Sequence, residues 1–176
     1  MTDDTNPLSI IFYPDPRLRQ PAESIEPTDP KVRATALHML QLMHEAKGVG
    51  LAAPQVGLGW RLFVTNHTGD PAHDLIYINP VLTDPSSDTE SASEGCLSIP
   101  GVNVDVRRPR QITIRAYDLD GNDFTINSDQ LQARIWQHEF DHLDGNLIID
   151  RMSPLDRLAN RKAIKELETG FTHAKS

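Results

Sequence analysis

The sequence predicts one soluble domain that mixes helices with short strands, and three observations carry that expectation. Val32, Ala36, Met39, Leu40 and Met43 recur at helical spacing, as do Leu131, Ile135, His138 and His142. Between these stretches, residues 60–65, 74–83, 102–106, 111–117 and 124–126 read as strands. The chain has 176 residues, 38% hydrophobic and 24% charged, enough for one real core. The expected domain is 1–176, with a loose arm at 1–9 and a loose tail at 169–176.

Taken in order, residues 10–13 read as a short strand, and Pro14, Pro16, Pro21, Pro27 and Pro30 punctuate an irregular segment. Thr28 or Asp29 can cap the first helix, with Pro30 in its first turn and Gly48 at its end. Gly48 to Ala53 formally matches the dinucleotide fingerprint Gly-x-Gly-x-x-Gly/Ala. That fingerprint must follow a strand and open a helix, whereas here a helix precedes it and Pro54 follows, so nucleotide binding is rejected. A tight glycine loop, or a backbone brought close to a ligand with Gln55 aimed inward, both remain open. Residues 84–93 read as a polar loop, and Leu119-Asp-Gly-Asn122 as a turn. Ser128 or Asp129 can cap the second helix and Gly145 suits its end. Ser153-Pro-Leu-Asp156 is a capping box opening a polar helix to about Glu168.

Charge and cysteine usage narrow the function. A net charge of −8 argues against a protein that grips phosphate backbones, so no direct nucleic-acid readout is expected. The single cysteine excludes an internal disulfide and suits a reducing compartment. The polar, acidic N-terminus has no signal-peptide core and no run reaches membrane-spanning length. A cytoplasmic protein with no membrane partner is expected.

The chemistry concentrates in Gln137-His-Glu-Phe-Asp-His-Leu-Asp-Gly145. His138 and His142 are four apart, so on a helix they share a face and can grip one metal ion. Glu139 can reach a water held there, as a general base must. A catalytic centre of this type wants three protein ligands and an open position. The place of a third histidine after Gly145 holds Ile148, and Glu166 and Glu168 sit in a solvated helix. Cys96, between Gly95 and a short apolar turn, fills the vacancy better than any other residue, although a lone cysteine is more often a small buried hydrophobe. Arg107, Arg108 and Arg110 form a basic cluster at a strand end, where an arginine could hold a substrate carboxylate or carbonyl.

These motifs together resemble the peptide deformylases. The match rests on Gly48-Val-Gly-Leu-Ala-Ala-Pro-Gln55, Glu94-Gly-Cys-Leu-Ser98 and Gln137 to Gly145, in the family's order. Weaker echoes are Asp15-Pro-Arg-Leu-Arg19 and Ser153-Pro-Leu155, so the resemblance spans residues 10 to 165. It implies an α+β fold, with antiparallel β-sheets around a central helix carrying the histidines and with N-terminal and C-terminal helices. It implies a metallohydrolase that removes the formyl group from N-terminal N-formylmethionine of new polypeptides and releases formate. Cys96, His138 and His142 would be the ligands of one divalent ion, usually Fe2+, with Zn2+, Ni2+ or Co2+ forms known. Glu139 would be the base, and the Gln55 amide and the Leu97 N–H the oxyanion donors. Gly50 would bond the peptide backbone. Val49, Leu131 and Ile135, with the stem of Arg134, would hold the methionine side chain, and Arg108 would also touch substrate. Gln137 and Glu94 would support the site from behind. The implied partners are N-formylmethionyl nascent peptides, with transient ribosome association.

Two rivals differ at named residues. A metallopeptidase of the His-Glu-x-x-His type would take its third ligand from a histidine or glutamate and leave Cys96 irrelevant. A catalytically dead ribosome-associated binding module would be expected to lose Glu139 or a ligand, and this chain has them all.

Overall fold

In the computed structural model, which describes residues 8–174, three helices and seven strands follow one another. They are α1 (Pro30–Glu45), β1 (Gly50–Ala52), β2 (Leu62–Thr65), β3 (Leu75–Thr83), β4 (Thr89–Glu94), β5 (Val104–Pro109), β6 (Ile112–Tyr117), β7 (Asp123–Ser128), α2 (Leu131–Leu143) and α3 (Pro154–Ala174). Five strands form an antiparallel sheet in the order β1-β2-β3-β6-β7, and β4 pairs with β5 as a separate ribbon. Helix α2 touches both, meeting β1, β2, β6 and β7 of the sheet and β5 of the ribbon. The expected α+β class, with antiparallel sheets around the helix that bears the histidines, is the class adopted. Among the described residues no helix is long and apolar enough to cross a membrane.

The core explains why α2 lies where it does. Ala133, Trp136 and Leu143 on one side of the helix pack with Phe63, Tyr77 and Ile114 of the sheet. Trp136 is fully buried, and its indole N–H donates to the Tyr77 hydroxyl at 2.9 Å, so the polar handle is satisfied inside. On the ribbon side, Val104, Val106, Ile99, Leu147 and Ile148 form a second cluster, onto which α3 lays Ala163, Ile164 and Leu167. The two histidines lie between these apolar masses.

Local chemistry sets the helix ends. Asp29, rather than Thr28, caps α1 by accepting the Lys31 N–H at 2.8 Å. The left-handed turn that closes α1 falls on Lys47 (φ +55°), not Gly48. A Cβ at 48 would stand 2.6 Å from the Leu97 side chain, whose end would have to move aside. At the start of α2 neither Ser128 nor Asp129 is the cap. Gln130 is, without a side-chain bond, while the Ser128 hydroxyl accepts the Gln130 N–H at 3.1 Å. At its end Gly145 (φ +76°) donates to the His142 carbonyl at 3.1 Å and Asn146 to the Asp141 carbonyl at 2.9 Å, a Schellman pair. A side chain at 145 would also collide with the Arg19 carbonyl. The capping box at α3 is as expected, with Ser153 Oγ accepting the Asp156 N–H and Asp156 Oδ2 accepting the Ser153 N–H, each at 3.1 Å.

Several expectations need correction. Residues 10–13 form no strand; instead the Ile11 N–H donates to the Gln55 carbonyl and the Tyr13 N–H to the Ser98 carbonyl, each at 2.8 Å, which ties two site motifs together. The polar loop expected at 84–93 holds most of β4, whose mainly exposed side chains lack apolar alternation. β1 is short and buried throughout, so it has no alternation either. Helix α3 continues through the expected tail to Ala174. Residues 1–7 of the expected arm lie outside the described residues, and Leu8 packs against the α1 core.

Candidate metal centre

One ligand atom from each of Cys96, His138 and His142 falls within 4.8 Å of the other two. Helix α2 supplies the imidazoles from successive turns of one face. The turn after β4 supplies the thiol, which stands 3.4 Å from His142 Nε2. His138 Nδ1 bonds Glu94 Oε2 at 3.0 Å, which leaves Nε2 to face the cluster. Burial opposes charge on His138, but hydrogen bonding to Cys96 and to the Glu94 carboxylate outweighs it and holds the pKa well above the ordinary imidazole value. His142 is held well below that value by burial, then by the positive charges of His138 and Arg108. Three donors this close could hold a cation among them. A thiolate with two imidazoles is a donor set that fits a divalent transition metal. The residues fit the group.

Glu139 lies beside the cluster at 4% exposure. Its pKa is pushed up to about 7, first by burial and further by Glu94 and Asp141, against the pull of His138 and Arg108. Its Oε2 is buried without a hydrogen-bond partner among the described residues. A side chain on Gly50 would collide with this carboxylate, so β1 must be glycine there. Gln55 is held from both ends. Its Oε1 accepts the Ala52 N–H at 2.8 Å, which turns Nε2 toward Ser98 Oγ (3.2 Å) and Cys96 Sγ (3.5 Å). The Leu97 N–H donates to no protein acceptor among the described residues. These groups open into a cleft of about 450 Å³, also lined by Val49, Gly50, Leu131, Arg134 and Ile135.

Arg108, expected to touch substrate, is buried behind the cleft. It is 3% exposed and does not line the cleft. Its guanidinium grips Glu94 in two bonds of 2.6 and 2.9 Å and reaches Asp141 at 3.0 Å. Asp141 is held in turn by Arg151 at 2.8 Å, and Arg134 reaches Glu94 at 2.7 Å. Burial alone would raise the Glu94 pKa, yet the bonds from Arg108 and His138 win and keep it far below the usual carboxylate range. Continuing the alternation of β5 by one step puts Arg108 inward with Val104 and Val106, and Arg107 outward. That signal was available in the sequence, but nothing there marks Asp141 and Arg151 as its neighbours. Gln137 lies outside this network, its amide donating to the Pro109 carbonyl at 3.0 Å and the Ala133 carbonyl at 2.9 Å. Arg108→Ala is expected to cost about 3 kcal/mol or more of folding stability, because Glu94 would be left buried and short of counter-charge. Urea unfolding measures it, and a loss under about 1 kcal/mol would show that Arg134 and His138 suffice to hold Glu94.

The rival ligands do not join the cluster. Glu166 and Glu168 lie on α3, where Glu168 accepts the Tyr13 hydroxyl at 3.0 Å and Glu166 stands 3.9 Å from Lys162.

A family profile described as polypeptide deformylase matches residues 7–158. The chain belongs to the peptide deformylase family. The peptide deformylase of Borreliella burgdorferi is 46% identical over 143 residues, spanning 81% of this chain and 86% of that one. That of Pseudomonas aeruginosa is 40% identical over 159 residues, or 90% and 95% of the two chains. The crystal structure of the Plasmodium falciparum deformylase superposes with a TM-score of 0.92 at 36% identity, covering 96% of this chain and 99% of that one. The activity of this deformylase fold is hydrolytic removal of the N-formyl group from nascent polypeptides, by a metalloenzyme.

Proposed function

We propose that Cys96 Sγ and the Nε2 atoms of His138 and His142 hold one divalent ion, ferrous iron in the cell, with zinc, nickel or cobalt able to replace it. The observation that carries this reading is the three-donor cluster with the unpartnered Glu139 carboxylate oxygen beside it. An ion there supplies Lewis acidity, so that a water beside Glu139 gives up its proton near neutral pH. Glu139 takes that proton as the water attacks the formyl carbon, then passes it to the leaving amine. The carbonyl oxygen, as it becomes negative, receives hydrogen bonds from Gln55 Nε2 and the Leu97 N–H. Both donors are held before substrate arrives, Gln55 by its bond to Ala52. Metal analysis of protein purified without air tests the ligand assignment. About one ion per chain is expected, and a chain with full turnover and no ion would overturn it.

The peptide is proposed to lie along Gly50 as a strand added to the free edge of β1. Val49 is 45% exposed and Leu131 54%, large apolar side chains that a methionine would cover, with Ile135 and the Arg134 stem completing the wall. Cytoplasmic work near the ribosome, where formylated termini emerge, is also proposed. The exposed cations Arg157, Arg161, Lys162 and Lys165 of α3 support a transient contact there, in a chain whose net charge as a whole is −8.

Gln55→Ala is expected to lower kcat about 10²–10³-fold while changing KM little, since an oxyanion donor acts in the transition state. Steady-state kinetics decide it; a rise in KM alone would make Gln55 a ground-state contact.

A further inference from the structure

Helix α1 ends where the cleft begins. Beyond its C-cap Ala46, Lys47 takes the left-handed turn (φ +55°). Its N–H donates to the His44 carbonyl at 3.0 Å, and Gly48 donates to the Met43 carbonyl at 2.9 Å. Among the described residues the only other non-glycines at positive φ are Asn79 and Asp84, residue types that tolerate it. Lysine has no such compensation, and glycine or asparagine would serve the turn better. A cation past a helix C-terminus is favoured by the dipole, but that does not require the left-handed position.

The turn is also braced from behind. The Asn66 N–H donates to the Val49 carbonyl at 2.9 Å, and Asn66 Nδ2 to Asp74 Oδ1 at 2.6 Å. Asp74 Oδ1 in turn bonds His44 Nε2 at 2.7 Å. Lys47 is thus presented at the cleft wall by a fixed backbone. Its ammonium makes no hydrogen bond or ion pair among the described residues. Arg134, which also lines the cleft, is occupied by Glu94 Oε1 at 2.7 Å and by the Val106 and Glu90 carbonyls at 2.9 and 2.8 Å.

Direction follows from the site. β1 runs from Gly50 toward Gln55 and the three-donor cluster, so a peptide with its formyl group there leads away in the opposite sense, past Val49 toward Lys47. At roughly 3.3 Å per residue, Lys47 falls within reach of the second or third residue beyond the first. We propose that Lys47 is a specificity-determining residue that pairs with an acidic side chain at that point of the nascent chain. The proposal rests on the reading of the cleft as the deformylation site with substrate along β1.

The test uses the metal-loaded full chain and formyl-methionyl tetrapeptides, amidated at the C-terminus so that no terminal carboxylate competes. The third or fourth residue is aspartate, asparagine or lysine. The aspartate peptide is expected to exceed the asparagine peptide about 2- to 5-fold in kcat/KM, mainly through KM, as suits a partly exposed ion pair. That ratio should shrink in high salt, fall to about one in Lys47→Ala, and invert in Lys47→Glu. Equal kcat/KM for aspartate and asparagine in the unaltered chain, or a preference that survives Lys47→Ala, overturns the proposal while leaving deformylation untouched. Negligible turnover of all three peptides would instead overturn the reading of the cleft, and the proposal with it.

Discussion

Replacing Glu139 by alanine is expected to leave the metal in place and to lower kcat by about 10²–10⁴-fold, the usual worth of a positioned general base. The carboxylate is not among the three clustered donors, so the ligand set survives its removal. Its position costs stability rather than adding it, since Oε2 is buried with no hydrogen-bond partner and burial pushes the pKa up to about 7. A group kept in so unfavourable a place suits the base proposed for this site, since a pKa near the operating pH is what proton transfer in both directions requires. Glu139→Gln keeps the shape and should lose turnover comparably, while both variants unfold no more easily than the parent. Metal content and kcat measured on the same preparation decide the matter. Full metal with less than a tenfold loss would remove Glu139 from the role of base.

Cys96→Ser is expected to go further and take the metal with it. Cys96 is the only non-histidine donor in the cluster, and serine offers a harder, more basic oxygen that gives up its proton far less readily than a thiol. Metal titration of the parent should release protons as the donors take up the ion, and this signal should vanish in the variant. Activity should be largely abolished although no disulfide is lost and the volume change is small. The iron-loaded parent should also lose activity in air faster than the nickel-loaded form, with the Cys96 peptide gaining oxygen mass as sulfur climbs from sulfenic acid. Normal metal content and turnover in Cys96→Ser would return the third ligand to the open question that the two histidines alone leave.

Much of this was legible because it is periodic or local. The four-residue spacing of His138 and His142 needs only a helix to bring two imidazoles to one face, and the apolar stripe of α2 calls for that helix. The stripe of α1 and the capping box of α3 are local in the same sense. Cys96 is different, since it lies 42 positions before His138 and only the logic of a missing ligand links them. Arg108 was read as a substrate contact; the alternation of β5 marks it as inward, but nothing local marks Glu94 and Asp141 as the partners that hold it away from the cleft. β4 was missed because a ribbon with a polar, exposed strand has no apolar alternation to read. The turn at Lys47 was assigned to Gly48 because glycine is the usual left-handed residue. At 48 the backbone is not left-handed, and a side chain there would press on the end of Leu97.

The most direct measurement is formate release from a formyl-methionyl peptide by the purified chain, before chelation, after removal of the metal, and after ferrous iron is restored without air. Activity should disappear with the metal, return with iron, and fail to return in Cys96→Ser. Formate release that persists at full rate in the metal-free chain would contradict a centre built on Cys96, His138 and His142.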